Sequence, residues 1–251
     1  MSLEPHLIYV LRHADDALVL GHRLTQWSSR APTLEEDIAL SNIALDLIGQ
    51  ARTLYQHAAK LEGNGRGEDA LAYLRGPDAF LNLELVEQPN GDFAVTMARQ
   101  LYFSAFAEPH WAALKDSTDA ELAGVAAKAE KECAYHLRHA SEWVVRLGDG
   151  TAESHARMQR AVDALWPFTA ELFETDAVAR AMIATGVGTD PASVKPAWNA
   201  TIDEVLSLAT LARPTAGAAS PGGRSGRHSE HLATMLADMQ VLRRAHPGAV
   251  W

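Results

Sequence analysis

The sequence predicts an all-α fold, a four-helix bundle with additional short helices. Three observations carry that prediction. Apolar residues recur at alternating steps of three and four over long stretches. Alternating β-branched runs and hairpin dipeptides between apolar stretches are almost absent. Capping signals and glycine runs then cut the chain into four long helical segments and several shorter ones. No internal repeat of fixed period occurs, and residues 1–251 read as a single domain with one long loop at about 213–227.

Each element has its own signal. The first helix covers roughly Pro5 to Trp27, separated by Pro32 from the next. The second runs from Leu34 to Leu61 and carries Leu40, Ala44, Leu47, Ala51, Leu54, Ala58 and Leu61 along one stripe. Thr33 is expected to cap it, with Glu36 reaching back to complete a capping box. The run Gly63-Asn64-Gly65-Arg66-Gly67 ends it, because each glycine raises the entropy cost of continuing. A short helical piece is expected over Asp78 to Glu87, stopping at Gln88-Pro89-Asn90-Gly91. Asp92 opens a long helix through Lys115, and Thr118-Asp119-Ala120-Glu121 reads as a second capping box for a helix to about Leu147. Gly148-Asp149-Gly150 closes that helix, and Thr151 to Phe173 follows. Asp190-Pro191 reads as a cap with proline in the first turn. The segment Arg213 to Arg227 is a loop rich in glycine, serine and proline, and a final helix covers about His228 to Arg244.

Composition narrows the class of function. At 47% hydrophobic the chain has material for a large core and is too apolar to be disordered. A formal charge of −10 opposes nucleic-acid binding, which needs a basic face, and leaves anionic ligands only a local basic patch. No apolar run approaches the roughly 20 residues of a membrane span, and the start MSLEPHLIYV lacks the marks of a signal peptide. Cys133, the single cysteine, rules out an intrachain disulfide and a cysteine-cluster metal site. A cytoplasmic protein that binds neither nucleic acid nor membrane is the expectation.

The second helix is apolar nearly all round except for a seam of Asn42, Asp46, Gly49, Gln50 and Thr53. These residues lie three or four apart and so share a face. A surface stripe, or a buried Asp46 paired with an arginine, would explain it; so would the remnant of a metal site inside a bundle. A di-iron bundle takes Glu-x-x-His from each of two helices and one further carboxylate from each of the other two. Asp46-Leu47-Ile48-Gly49 has a carboxylate with glycine where histidine should stand. Cys133-Ala134-Tyr135-His136 has the histidine with cysteine in place of glutamate. Each motif is half present.

Several longer runs extend this pattern. They are Ser29 to Glu35, Asn42 to Arg52, Leu85 to Ala94, Ala134 to Arg138, Leu165 to Phe173, Glu230-His231-Leu232, and the terminal Pro247-Gly248 with Trp251. Together these resemble the C subunits of bacterial phenylacetyl-CoA epoxidases, over nearly the whole chain. The resemblance implies a ferritin-like fold and a role in aerobic phenylacetate degradation. It also implies no bound metal or other cofactor, and tight pairing with a catalytic A subunit that holds the di-iron centre and binds the CoA thioester. Other subunits of the complex are implied partners, and homodimer formation is left open. Carried over by position, the catalytic subunit's first-helix glutamate falls near Ala17, with Asp16 beside it. The second helix keeps Asp46 but has Gly49 for histidine; the third-helix carboxylate falls near Ser104; the fourth helix has Cys133 for glutamate and keeps His136. The implied picture is a lost di-iron site in a non-catalytic structural subunit, with Asp46 and His136 paired to other side chains across the core. Competing readings are an active di-iron oxygenase with unusual ligands and an iron-storage relative.

Other residues carry weaker signals. His228 and His231 stand three apart, as part of a zinc site or simply at a helix start capped by Ser229 or Ser225. Arg213, Arg224 and Arg227 are suited to a phosphate, such as that of CoA, or to an acidic partner. Cys133 lies mid-helix, far from an N-terminus that would activate it, which favours core packing over nucleophile chemistry. The six tryptophans read as core or interface anchors.

Overall fold

The computed structural model describes residues 4–215, 222–247 and 249. Four long helices form the bundle: α1 (Pro5–Thr25), α2 (Leu34–Glu62), α5 (Phe93–Leu114) and α6 (Ala120–Gly148). Between α2 and α5 lie two short helices, α3 (Glu68–Tyr73) and α4 (Glu84–Glu87). After α6 come α7 (Ala152–Leu165), α8 (Ala177–Thr185), α9 (Lys195–Leu208) and α10 (Glu230–Ala245). No strand occurs among the described residues. The fold is all-α and ferritin-like, and none of these helices is long and apolar enough to cross a membrane.

Caps and close approaches set the bundle's geometry. Thr33 and Asp92 cap α2 and α5 by accepting from the Glu36 and Val95 amides, and Gly63 ends α2 in the left-handed region at φ 65°. A Cβ at Gly21 would stand 3.2 Å from Ile48 and 3.3 Å from the Ala44 carbonyl oxygen, so α1 and α2 close to near backbone contact there. Between them and α5 the core holds Leu20, Leu24, Leu40, Ile43, Leu47, Leu54, Leu101 and Tyr102, all buried. Helices α2 and α6 run antiparallel, because Glu36 meets His139 while Gln50 meets Glu132. The outer helices lock onto this frame by polar anchors: the Trp198 indole of α9 donates to the Tyr102 carbonyl at 2.9 Å, and the Tyr102 hydroxyl donates to Val162 of α7 at 3.1 Å.

Four local expectations are corrected. Glu36 does not fold back to complete the α2 capping box; its carboxylate lies 2.8 Å from His139 across the bundle. The cap of α6 is Asp119 rather than Thr118, its Oδ1 accepting from the Glu121 and Leu122 amides. Ser229 occupies the N-cap position of α10 but turns its hydroxyl to Glu87 instead. The piece over Asp78 to Glu87 breaks into a 3-10 turn (Pro77–Ala79) and α4, with extended backbone at Phe80 and Leu83. Its free amides find carboxylates: Leu81 N–H donates to Asp15 and Leu83 N–H to Asp16. With those partners available, the helical ladder is not needed to satisfy the backbone.

Beyond α6, the helix expected over Thr151 to Phe173 keeps α-helical geometry only to Leu165. It continues as a 3-10 stretch from Trp166, where Pro167 removes a backbone donor. Asp190 caps the Pro191–Val194 turn, as its sequence position suggests, and leads into α9. Of the long loop at 213–227, residues 216–221 lie outside the described residues, as do Gly248 and Trp251 of the terminal run. Residues 222–227 include a short turn, Gly223–Ser225, packed against the 76–90 segment.

Candidate functional site

The seam of α2 faces α6. Asn42 and Thr53 are exposed, Asp46 is half-buried, and Gln50 is buried. His136 Nε2 lies 3.1 Å from Asp46 Oδ2, so the two half-motifs meet and pair with each other rather than with other side chains. Burial holds the His136 pKa below its ordinary value, against the opposing pull of Asp46. Gly49 does not face the interior: a Cβ there would have Lys128 Nζ, 4.0 Å away, as its neighbour. The residue that enters the bundle is the next one, Gln50, whose amide donates to Glu132 at 2.8 Å. Cys133 is fully buried, and burial pushes its thiol well above the usual range, which suits packing and not nucleophile chemistry.

On α5, Ser104 is buried, and its hydroxyl accepts from Gln100 at 3.0 Å. On α1, Ala17 and Asp16 line a small cavity together with Gln50, Phe103, Phe106, His110 and Trp111. Asp16 is committed elsewhere, however. Its Oδ1 accepts from Leu83 N–H at 2.7 Å and its Oδ2 from the Arg224 guanidinium at 2.7 Å. Burial pushes its pKa up to about 6 against the pull of Arg224. The seven positions therefore sit on the four bundle helices, with their polar members committed to different partners. Asp46 and His136 form one pair at the seam, Asp16 belongs to a buried clamp, and Gln50 bridges between the cavity and α6.

That clamp gathers buried carboxylates that no sequence pattern groups. Asp15, fully buried, takes the Arg75 guanidinium, the Tyr55 hydroxyl at 2.5 Å and Leu81 N–H at 2.8 Å. Glu87 takes the Asn82 amide at 2.9 Å and the Ser229 N–H at 2.7 Å, with His228 Nδ1 at 2.7 Å. Glu171 accepts from the Glu84 and Arg224 amides at 2.8 and 3.0 Å. His228 Nε2 faces the Phe80 carbonyl at 2.9 Å, so both its ring nitrogens are engaged within the fold. Arg213 is held by Asp203 and Asn199. Of the arginines suited to a phosphate, these two, Arg213 and Arg224, are thus already paired internally.

A second buried feature escaped sequence reasoning. His13 of α1 and His110 of α5 stack at 5.3 Å with their Nε2 atoms 3.0 Å apart. His13 Nδ1 lies 2.8 Å from the Tyr9 carbonyl, which assigns the proton to Nδ1 and leaves Nε2 to accept from His110. Burial lowers both pKa values, that of His110 to about 3, so the pair is neutral. No signal in the sequence joins two histidines 97 residues apart.

Whether this interior fits two irons is a question of donors. A di-iron bundle needs carboxylates from all four helices and two histidines. Here Ala17 and Gly49 offer no donor atom, Ser104 offers a hydroxyl already bonded to Gln100, and Cys133 offers a deeply buried thiol. Asp46 and His136 remain as donors, but one carboxylate and one imidazole are only two of the six ligands that two irons take. The donor set does not fit a di-iron centre.

Comparisons with known proteins agree over nearly the full length. A model of the family described as phenylacetic acid catabolic protein matches residues 2–251. The chain is 47% identical over 243 residues to the C subunit of 1,2-phenylacetyl-CoA epoxidase from Escherichia coli (strain K12), covering 97% of this chain and 98% of that protein.

Proposed function

We propose, from the premise that this chain belongs to the phenylacetic acid catabolic protein family, that it is the non-catalytic structural subunit of a phenylacetyl-CoA epoxidase. In this reading the chain, as a single domain, pairs with a di-iron catalytic A subunit and other subunits of the complex in aerobic phenylacetate degradation. The observation that carries the reading is the donor set. By the resemblance, Ala17, Ser104 and Cys133 take positions where a di-iron bundle needs carboxylates and Gly49 that of a histidine, although in this fold Gln50 is the residue that turns inward. The retained Asp46 and His136 bond to each other. A bundle so altered keeps its packing surface while losing redox chemistry.

The surface of α2 supports a partner role. Leu34, Ile38 and Leu45 are 72%, 55% and 64% exposed. At 100° per residue all three fall within about 40° of one another around the helix. Such an apolar stripe on an otherwise charged surface marks an interaction face. Obligate interfaces bury more than ~2,000 Å² and use faces of this kind.

Elemental analysis of the chain purified alone from iron-replete cells tests the first half of the proposal. Negligible iron is expected; iron near two per chain would replace this reading with an active oxygenase bearing unusual ligands. Co-purification tests the second half. Ile38→Asp and Leu45→Asp are each expected to abolish capture of the catalytic subunit while changing the denaturation midpoint by less than about 0.5 kcal/mol equivalent, since both sites are exposed. Undiminished capture by both variants would refute α2 as the pairing face.

A further inference from the structure

Outside the bundle interior, three potential ligands converge at one end of the molecule. His6 stands in the first turn of α1, His57 in the last turns of α2, and Asp119 caps α6. His6 Nε2 and His57 Nε2 lie 2.7 and 2.5 Å from the same oxygen, Asp119 Oδ2. The three donor atoms are all within 4.8 Å of one another. The other oxygen, Oδ1, is the one that caps α6, so capping and this cluster use different atoms.

The surroundings of His57 call for a cation. A neutral imidazole has one N–H and one lone pair. His57 faces a carboxylate with each nitrogen: Asp119 at Nε2, and Glu121 Oε2 3.3 Å from Nδ1. Whichever nitrogen carries the proton, the other turns its lone pair toward a carboxylate oxygen. Both contacts are attractive only when a further cation, a second proton or a metal ion, sits on the ring. His57 is 7% exposed, and its Nδ1 makes no well-formed hydrogen bond within the protein. Nearby, Lys60 holds Glu121 at 2.9 Å and fixes that carboxylate beside the ring.

We propose that His6, His57 and Asp119 form a zinc site that ties α1 and α2 to the N-terminus of α6. Two imidazole nitrogens and one carboxylate oxygen are a donor set that zinc accepts, with a fourth position left to water. With zinc on Nε2, His57 keeps its proton on Nδ1 and aims it at Glu121. That is the outer-shell carboxylate that orients a metal-bound histidine. A tetrahedral ion with bonds of about 2.0–2.1 Å spaces its donors roughly 3.4 Å apart. The cluster therefore opens by less than ~1 Å, and His6, whose side chain is 29% exposed, is free to move outward and admit the ion.

The full-length chain is stripped with a chelator, dialysed against zinc, and assayed for metal content, cobalt absorption and melting temperature. One zinc per chain, intense visible bands from four-coordinate cobalt, and a higher melting temperature with zinc are the expected results. His6→Gln and Asp119→Asn should each weaken zinc affinity at least tenfold. Asparagine retains the capping oxygen, and residue 6 is partly exposed, so both variants are expected to fold. Absence of saturable zinc binding, or affinity unchanged in both variants, overturns the site. Zinc and iron are read separately, so this outcome is independent of the iron measurement above.

Discussion

The buried clamp and the α2–α6 seam both place carboxylates between helices, yet they are built on different terms. In the clamp, Asp15, Asp16, Glu87 and Glu171 are almost fully enclosed, and each accepts at least one backbone N–H from an irregular segment. In the seam the carboxylates are met by side chains alone, Glu36 by His139, Asp46 by His136, and Glu132 by Gln50 and Lys128, and the Asp46 side chain, 36% exposed, reaches solvent. A carboxylate that holds backbone amides is part of the architecture, since losing it leaves several donors without partners. A carboxylate met only by a side chain at the surface can be exchanged at little cost. The difference separates carboxylates on which the backbone depends from carboxylates that only other side chains meet. Of the positions carried over by resemblance, Asp46 lies in the seam while Asp16 belongs to the clamp.

The strongest test of that contrast is Asp15. Replacing it with alanine leaves the buried Arg75 guanidinium, the Tyr55 hydroxyl and the Leu81 amide without their shared acceptor. Removing one partner of a buried ion pair costs about 3–5 kcal/mol. Urea denaturation of Asp15→Ala should therefore show a midpoint lowered by that equivalent, with little change in slope. A loss under 1 kcal/mol would mean that the clamp tolerates vacancy and that the contrast is false.

Glu87 gives a smaller effect with a pH signature. Burial works to lower the His228 pKa, but the hydrogen bonds to Glu87 and the Phe80 carbonyl outweigh it and leave the value raised. A histidine raised on folding stabilises fully below its unfolded pKa, near 6.5, and loses that contribution as pH rises through the higher folded value. Wild-type stability should thus decline from about pH 6.5 upward through this group. Glu87→Gln should cost about 2 kcal/mol at pH 6, the scale of hydrogen bonds to a charged group, and should flatten that decline. Thermal melts across pH 5.5–8.5 would read both; an unchanged slope in the variant would assign the decline to another residue.

How much of this was legible beforehand follows from the range of the interactions involved. The four long helices were, because period, cap and glycine stop act within a few residues: Thr33, Asp92 and Gly63 act within a turn of their helices. The extended stretch at 80–83 was not, since its amides are satisfied from α1, some 66 residues earlier. Glu36 illustrates the same limit in miniature. Local pattern sends it to its own N-cap, while tertiary structure supplies His139, 103 residues away. The short α3 and α8 carry too few periodic positions to announce themselves, and of α9 only the Asp190-Pro191 lead-in was read. At the ligand positions, reading by spacing placed Gly49 inward; in the folded helix Gln50 takes the interior and Gly49 faces Lys128.

The seam itself supplies the smallest and sharpest test. Asp46 is about a third exposed on its side chain, so its pair with His136 is worth at most about 1 kcal/mol. Asp46→Ala should lower stability at pH 7.5 by no more than that. Its signature lies on the acid side. Burial already depresses His136, and Asp46 is the main influence opposing that shift, so removing it depresses the residue further. A histidine held neutral by the fold costs stability as pH falls below its unfolded pKa, near 6.5, because only the unfolded chain then takes up the proton. The variant should accordingly lose stability more steeply than wild type between about pH 6.5 and 5, and the imidazole resonances of His136 should titrate at lower pH. A loss of 3 kcal/mol or more at pH 7.5 would place Asp46 with Asp15 among the anchors of the fold. The α2–α6 seam would then be a second clamp, and the contrast between the two regions would fall.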